Sequence, residues 1–182
     1  MTESFPLATR RELGYRIDEV EAFLGKARAA YEQPSAPNQL TAADIRLTAF
    51  RLQKRGYAVA EVDAALERLE DAFAARERRE RLEALGEAEW IEEVRGQAQV
   101  LTDRLSRPAH QRFQRVSKLT VGYRIDEVDA FADRVTRHFT EGAPVSLAEV
   151  RSVSFRAQRG GYREAQVDLV IDSVVEVLQA VR

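Results

Sequence analysis

Seven residues, Gly14-Tyr15-Arg16-Ile17-Asp18-Glu19-Val20, decide the organisation of this chain, because they recur unchanged at residues 122–128. Two looser copies begin at Gly56-Tyr57 and at Gly161-Tyr162, so the sequence contains a fourfold internal repeat. The second pair of copies follows the first at offsets of 108 residues (position 14 to 122) and 105 residues (position 56 to 161). The chain is therefore a duplication, and each half contains two unlike repeats.

Length, charge and cysteine content limit the class of protein. A chain of 182 residues can bury a hydrophobic core, and its net charge of -2 gives no general attraction to nucleic acid, which we do not expect as a partner. It has no cysteine, which excludes disulfides and thiol chemistry and is typical of a reducing cytoplasm. No apolar run is long enough to span a bilayer, and the first thirteen residues contain no signal-like apolar stretch. We expect a soluble, cytoplasmic protein.

The first repeat predicts a helix of moderate length. Apolar residues at Val20, Leu24, Ala27 and Tyr31 follow helical spacing and predict a helix from Arg16 to about residue 32. Residues 1–13 predict a short, weak helix opened by a proline. Residues 33–39 contain two prolines and predict a linker.

A helix start signal follows the linker. It consists of an N-cap, an acid three residues later and two flanking apolar residues: Leu40, Thr41, Asp44 and Ile45. It predicts a helix from Thr41 to about Arg55, where Gly56 would supply the left-handed backbone of a helix C-terminus. Residues 145–150 repeat the signal in the second half.

The next segment predicts one long central helix. Its apolar residues run from Val62 through Phe73 to Leu105, and whether the helix over 59–105 is continuous or broken at Gly86 stays open, with Gly96 as a second candidate kink. The charged run at residues 76–81 alternates arginine with glutamate, which favours a solvated helical face over a basic patch.

Each repeat predicts a short helix, a Gly-Tyr turn and a second helix, which together give an all-α fold of tandem hairpins. Glycine would allow a left-handed turn, and tyrosine would bury its ring while its hydroxyl stays in water. The glycines and tyrosines are Gly14, Tyr15, Gly56, Tyr57, Gly122, Tyr123, Gly161 and Tyr162.

Three positions after each tyrosine complete the motif. The fourth residue after it could reach back to the N-cap amide, the next is a valine, and the next is an acid that would complement the helix dipole. In chain order these positions hold Glu19, Val20 and Glu21; Glu61, Val62 and Asp63; Glu127, Val128 and Asp129; and Gln166, Val167 and Asp168.

The repeated carboxylates suggest two interpretations, a metal or acid–base site and a set of first-turn structural acids. The second is favoured, because no histidine accompanies them at ligand spacing and His110 and His138 stand alone. The sequence contains no phosphate-binding glycine loop. We predict no catalytic residue, no metal site and no cofactor, and therefore a protein that is not an enzyme.

The duplication predicts how the halves are organised. Residues 1–105 would hold repeats 1 and 2 with the long central helix, and residues 106–182 would hold repeats 3 and 4, or all four would form one joint bundle. We expect the halves to pack as a pseudo-twofold dimer within one chain. Trp90, Ile91 and Val94 lie in the segment without an internal copy, which makes them candidates for binding a partner, with packing against the chain's own core as the alternative.

The motif residues resemble a known family. Ile45-Arg46, Phe50, Arg55-Gly56-Tyr57 and Glu61-Val62-Asp63 with Leu66 resemble the N-terminal domain of the DivIVA family. The second half repeats the pattern at Val150-Arg151, Phe155, Gly161-Tyr162 and Val167-Asp168. The chain is most similar to DivIVA-domain repeat proteins, mostly actinobacterial, in which several copies occur in tandem.

The resemblance implies a cytoplasmic scaffold of cell division or polar growth, located at the septum or pole. Such proteins bind curved membrane and recruit division or envelope-growth proteins, or further copies of themselves, along a coiled coil. An exposed aromatic before the Gly-Tyr inserts into lipid in that family, and it is missing here. Lys54, Arg55 and Arg159 could still contact anionic headgroups. The alternative function is a helix-turn-helix DNA-binding regulator.

Overall fold

The computed structural model describes residues 5–33 and 40–181, and this part of the chain is mostly helical, as predicted. The helices are α1 Ile17–Glu32, α2 Ala42–Arg46, α3 Val59–Leu85, α4 Glu87–Leu105, α5 Ile125–Glu141, α6 Leu147–Arg151 and α7 Glu164–Ala180. The strands, which were not predicted, are β1 Leu13–Tyr15, β2 Leu52–Lys54, β3 Val121–Tyr123 and β4 Ala157–Arg159. The predicted linker lies outside the described residues except for Gln33.

The chain divides into two compact units, residues 1–80 and residues 81–182. This division comes earlier in the chain than the boundary at residue 105 that the sequence predicts, and it assigns α4 to the second unit. In the first unit β1 and β2 form an antiparallel ribbon with Leu13 opposite Lys54. In the second unit β3 and β4 form the corresponding ribbon with Val121 opposite Arg159.

The segment before β1 contains an isolated β-bridge and a short turn but no helix, so the weak helix predicted there is wrong for the described residues 5–13. Leu7 forms a β-bridge with Tyr57. The Ala8 amide donates to the Gly56 carbonyl at 2.8 Å, and the Ala58 amide donates to the Pro6 carbonyl at 2.8 Å. These long-range hydrogen bonds hold the segment beside the second Gly-Tyr pair. Helix α1 ends at Glu32, as predicted.

The predicted start of α2 is confirmed and its predicted end is wrong. Thr41 and Asp44 form a reciprocal capping box, and α6 has the same box. The helix nevertheless ends at Arg46 instead of continuing to Arg55. The Arg51 amide donates to the Glu19 carboxylate at 2.9 Å, and the Arg51 carbonyl accepts from the Arg16 amide at 2.9 Å. Tertiary hydrogen bonds therefore draw the chain out of the helix and into β2.

The segment predicted as one long central helix, with a break at Gly86 left open, forms two helices. Gly86 has a φ of 84° and is the N-cap of α4, so the helix that begins at Val59 ends at Leu85. Gly96, the other predicted kink, lies inside α4.

The two units have different cores. The first has two small clusters, one around Val20, Tyr57 and Val62 and one around Ile45 and Phe73. The second has one larger cluster, to which α4 contributes three buried residues, namely Val94, Leu101 and Leu105. The repeat offset places Ala65 and Ala72 of the first unit at the positions of Val170 and Val177 in α7. The larger α7 side chains give α4 an apolar surface to cover.

The charged run at residues 76–81 is only partly a solvated face, which corrects that interpretation. Arg76 is 5% exposed, and its guanidinium carbon lies 4.5 Å from the centroid of the Phe73 ring. Its Nη1 donates to the Ala30 carbonyl at 3.0 Å. Glu77 accepts the Ala42 amide at 2.8 Å, and burial raises the pKa of this carboxyl. These two residues hold the helices of the first unit together.

Candidate functional site

The Gly-Tyr copies contact each other in pairs. In the first unit the Tyr15 and Tyr57 backbones exchange two hydrogen bonds of 2.9 Å. In the second unit Tyr123 and Tyr162 do the same, again at 2.9 Å. The motif is therefore a crossing of two chain segments, which corrects the predicted turn between two helices of one hairpin.

Only glycine fits at the four motif positions, because the backbone of the opposite segment lies where a Cβ atom would be. A Cβ atom would lie 2.3 Å from the Tyr57 carbonyl oxygen at Gly14 and 2.3 Å from the Tyr15 oxygen at Gly56. In the second unit, a Cβ atom would lie 2.2 Å from the nearest carbonyl oxygen at Gly122 and 2.3 Å at Gly161. The predicted left-handed backbone is absent from these four glycines and occurs one residue earlier, at Arg55 and Gly160, with φ of 56° and 66°.

The four tyrosine hydroxyls lie beside acids, and two of them are hydrogen-bonded to those acids, which corrects the prediction that they stay in water. Each tyrosine uses the acid of the other repeat in its unit. The Tyr57 hydroxyl donates to Glu21 at 2.7 Å, and the Tyr162 hydroxyl donates to Asp129 at 3.0 Å. In the reciprocal positions, burial followed by Asp63 raises the pKa of Tyr15, and burial followed by Asp168 raises the pKa of Tyr123. The acids predicted to complement helix dipoles therefore tie the two repeats together.

Three of the four side chains predicted to cap their own helices also cross to the other repeat. Glu19 accepts the Arg51 amide, Glu127 accepts the Arg156 amide at 2.8 Å, and Gln166 accepts the Gln114 amide at 2.9 Å. Glu61 is exposed on the first turn of α3. The four motif valines, Val20, Val62, Val128 and Val167, are buried.

The surroundings of the tyrosines and glutamates at the crossings shift the pKa values of these side chains. Burial, with the carboxylate beside each hydroxyl, raises the pKa of Tyr123 and of Tyr162 to about 12. Backbone amide donors, followed by arginine, lower the pKa of Glu19 and of Glu127. Near neutral pH the tyrosines therefore stay protonated and these two glutamates stay ionised, so none of them is suited to proton transfer.

A buried polar cluster at the second crossing was not predicted. Arg112 is buried, and its guanidinium donates to the Asp133 carboxylate and to the Asp129 carbonyl. The Asp129 carboxylate accepts the His110 amide at 2.7 Å as well as the Tyr162 hydroxyl. The repeat offset aligns Arg112 with a serine in the first half, so the repeat pattern contains no signal for it.

The candidate membrane-contact residues lie at the ends of the two ribbons. Lys54, Arg55 and Arg159 are all exposed there. The position where the aromatic is missing holds Leu13 in one ribbon and Val121 in the other, and both are about half exposed. Each ribbon end therefore combines cations with an accessible aliphatic side chain.

The candidate partner-binding residues line a groove of about 470 Å³ in the second unit, between α4 and the C-terminal ends of α5 and α7. Trp90 is half-buried against the core, Val94 is buried, and Ile91 is 44% exposed. The remaining lining comes from Arg95, Ala98, His138, Phe139, Val177, Ala180 and Val181. The three residues thus pack on the chain's own core and also border an open apolar surface, so features of both predicted alternatives are present.

Within residues 5–33 and 40–181, no group of three or more histidine, cysteine, aspartate or glutamate side chains is arranged to hold a metal ion. In the same ranges no helix has the length and apolarity needed to cross a membrane. Comparison of the chain with protein-family models, with curated proteins and with solved structures finds no match.

Proposed function

We propose that this chain is a non-enzymatic, DivIVA-like scaffold or adaptor of bacterial cell division or polar envelope growth. It acts in the cytoplasm, at the septum or pole, and binds its partners through helical surfaces. The groove at Trp90 carries this proposal, since an apolar surface bordered by a half-buried tryptophan is suited to a partner side chain.

The motif itself serves as a framework in this proposal. Its glycines allow the two backbones to touch, and its tyrosines contact its acids. These residues therefore have structural roles in the proposal and no catalytic one. We infer that each unit is an intramolecular pair of repeats with approximate twofold symmetry, because the two tyrosine backbones of each crossing exchange reciprocal hydrogen bonds. The expected pairing between the two halves stays a separate prediction.

The site of action is tested with a fluorescent fusion of the full chain in its source bacterium. The wild type should concentrate at the septum or pole. Ile91→Asp should lose this enrichment, because it places a charge at the exposed edge of the groove. Leu169→Asp is the matched control, since Leu169 is also exposed on a helix of the second unit but does not line the groove. A diffuse wild-type signal would exclude the proposed role.

Membrane contact is a second candidate activity, favoured by the cations and aliphatic side chains at the ribbon ends. Each cation near an anionic surface contributes about 1 kcal/mol. Vesicles rich in phosphatidylserine should sediment the wild type but less of a variant with Lys54 and Arg55 changed to Ser, whereas neutral vesicles should sediment neither. Equal sedimentation of both proteins would reject this contact.

A DNA-binding regulator remains the alternative function. Acidic residues open the helices after the Gly-Tyr motif, where a recognition helix would approach phosphates: Asp18, Glu19, Glu61, Asp126, Glu127 and Glu164. This arrangement disfavours duplex binding. Salt-dependent binding of duplex DNA at physiological ionic strength would favour the alternative over the scaffold.

A further inference from the structure

We propose that the groove at Trp90 binds a partner helix that carries an apolar side chain and, one turn away, a carboxylate. This inference rests on the proposed adaptor function and specifies the chemistry of its partner. Two observations support it, namely the sign of the charges that line the groove and the spacing of apolar and basic side chains along α4. Together they distinguish an acidic partner helix from a basic or an uncharged one.

The lining of the groove is apolar, and its charge is positive. Apart from apolar side chains, the described lining consists of Arg95 on α4 and His138 on α5, and it contains no acidic side chain. An apolar interface excludes water, so a charge that enters it needs an opposite charge beside it. A partner carboxylate finds that charge in Arg95, whereas a partner lysine or arginine is repelled by it.

The spacing along α4 matches one turn of a partner helix. Ile91 and Arg95 are four residues apart, so they lie on the same side of α4. Ile91 is 44% exposed and follows the half-buried Trp90, and the Arg95 side chain is 67% exposed. A helix that lies along α4 therefore brings an apolar side chain to Trp90 and Ile91 and, one turn further, an acid to Arg95.

The present partner of Arg95 is replaceable. Arg95 forms an ion pair with Glu92, three residues before it on α4, and the Glu92 side chain is 68% exposed. Water and salt weaken an ion pair that is exposed to this degree. A carboxylate that a docked helix shields from water binds Arg95 more strongly, and Glu92 can then turn into solvent.

His138 and the adjoining end of α5 do not select a cation. The Nδ1 atom of His138 is hydrogen-bonded to the Ala143 carbonyl at 2.7 Å, and an imidazole carries no negative charge in either protonation state. The His138 carbonyl accepts the Gly142 amide at 3.1 Å, so this acceptor at the end of α5 is already used. The charge of Arg95 therefore decides which sign the groove prefers.

A second groove, on the other side of α4, has the opposite charge. Its volume is about 530 Å³, and its described lining from α4 and α7 includes Glu93 and Glu176 but no basic side chain. Arg81 offsets part of this charge through an ion pair with Glu93 at 2.6 Å. An acidic helix is thus favoured on the Trp90 side of α4 and disfavoured on the other, which makes the docking selective.

The chain contains one tryptophan, so the emission of Trp90 reports on the groove directly. The full chain is titrated with two capped helical peptides that carry a central leucine and a glutamate, placed four residues after it in one and four before it in the other. These serve the two directions in which a helix can lie along α4, and each has a matched peptide with glutamine for glutamate. We expect a saturable change in emission and, for one pair, roughly tenfold tighter binding of the glutamate peptide at low salt. This preference should shrink as the salt concentration rises.

Variants locate the carboxylate at Arg95. In Arg95→Gln the preference for glutamate should fall to within about twofold. The matched variant Arg163→Gln removes the same charge and should keep the preference, since Arg163 is exposed at the opposite end of α7 and does not line the groove. Equal affinity for the glutamate and glutamine peptides would overturn the inference, as would an unchanged preference in Arg95→Gln.

The absence of saturable binding would overturn the inference as well. The groove would then belong to a second copy of the chain if the wild type dimerises in analytical ultracentrifugation and Ile91→Asp stays monomeric.

Failure of this inference is distinguishable from failure of the proposed function. If the wild type and Leu169→Asp reach the septum or pole and Ile91→Asp does not, the groove has its cellular role whichever peptide it prefers. If the glutamate preference holds but the wild type is diffuse, the chemistry of the groove stands and the cellular proposal fails.

Discussion

At the scale of single residues, the close approach of two backbones requires the glycines. Contacts between the two repeats of a unit explain the tyrosines and the acids. The carbonyl oxygen nearest a built Cβ lies within 2.3 Å at every motif glycine, a distance that side chains do not tolerate. Each tyrosine then lies beside an acid from the other repeat of its unit, and Tyr57 and Tyr162 donate hydrogen bonds to theirs. The motif is therefore defined by the contact between two copies.

Gly14→Ala should destabilise the first unit by about 3 kcal/mol or more, because the added methyl group meets backbone atoms that cannot move aside easily. Gly25→Ala is the control, since a Cβ at this exposed position in α1 has no neighbour within 4 Å. The control should gain up to about 1 kcal/mol from helix propensity. Urea unfolding followed by circular dichroism measures both, and equal effects would refute the steric explanation.

Arg55→Gly should stabilise the first unit by roughly 0.5–1 kcal/mol. Arg55 has a left-handed φ of 56°, whereas the aligned residue of the second unit, Gly160, has the same conformation without a side chain. Gly160→Ala should have the opposite effect, a loss of about 1 kcal/mol. Chemical denaturation measures whether each variant gains or loses stability. A loss of stability in Arg55→Gly would show that contacts of the arginine side chain stabilise the unit by more than its left-handed backbone destabilises it.

Stability of the second unit should fall as the pH rises from 10 to 12. Tyr162 has its pKa raised from 10.0 to about 12, so the fold favours the protonated phenol. Its contribution, roughly 2 kcal/mol, is complete below pH 10 and is lost as the pH passes through the raised pKa. Urea midpoints measured between pH 9 and 11.5 should fall less steeply for Tyr162→Phe than for the wild type. An identical slope in the variant would contradict this assignment.

At the scale of secondary-structure elements, local signals predicted only what local contacts determine. Thr41 with Asp44, and Ser146 with Glu149, form the predicted capping boxes because all the atoms involved lie within four residues. The predicted helix to Arg55 failed because Glu19, far away in sequence, binds the Arg51 amide. β-strand pairing depends on such distant partners and not on the propensity of one segment.

The candidate groove shows the same division between local and distant information. The apolar spacing of Trp90, Ile91 and Val94 predicted a helix with one apolar face. Its docking on α5 and α7 depends on Val177, which is large where the first unit has alanine. The repeat offset shows that difference in the sequence, but it does not show which segment of the chain covers Val177.

Ser146→Ala should destabilise the second unit by about 1 kcal/mol through loss of the α6 capping box. The Ser146 hydroxyl accepts the Glu149 amide at 3.1 Å, and alanine cannot replace that acceptor. Ser154→Ala, at an exposed site outside the helices, should change stability by less than about 0.5 kcal/mol. Denaturant midpoints of the two variants give the comparison, and equal losses would mean that the cap contributes nothing specific.

At the scale of the whole molecule, each unit contains its own crossing and its own core. Repeat 1 pairs with repeat 2, and repeat 3 pairs with repeat 4, through the same reciprocal bonds. Only the second core includes α4, which buries Val94, Leu101 and Leu105. At about 1.5–3 kcal/mol for each buried side chain, this helix contributes a large share of that unit's stability.

The independence of the two pairs is tested most directly by analytical ultracentrifugation and thermal unfolding of separately expressed fragments. Fragments 1–85 and 86–182 should each be folded, monomeric and cooperative in unfolding. Fragment 107–182, which lacks α4, should be unfolded or aggregated. If fragments 1–85 and 86–182 were unfolded alone and folded only when mixed, the repeats would pair between the halves and the intramolecular crossings would be contradicted.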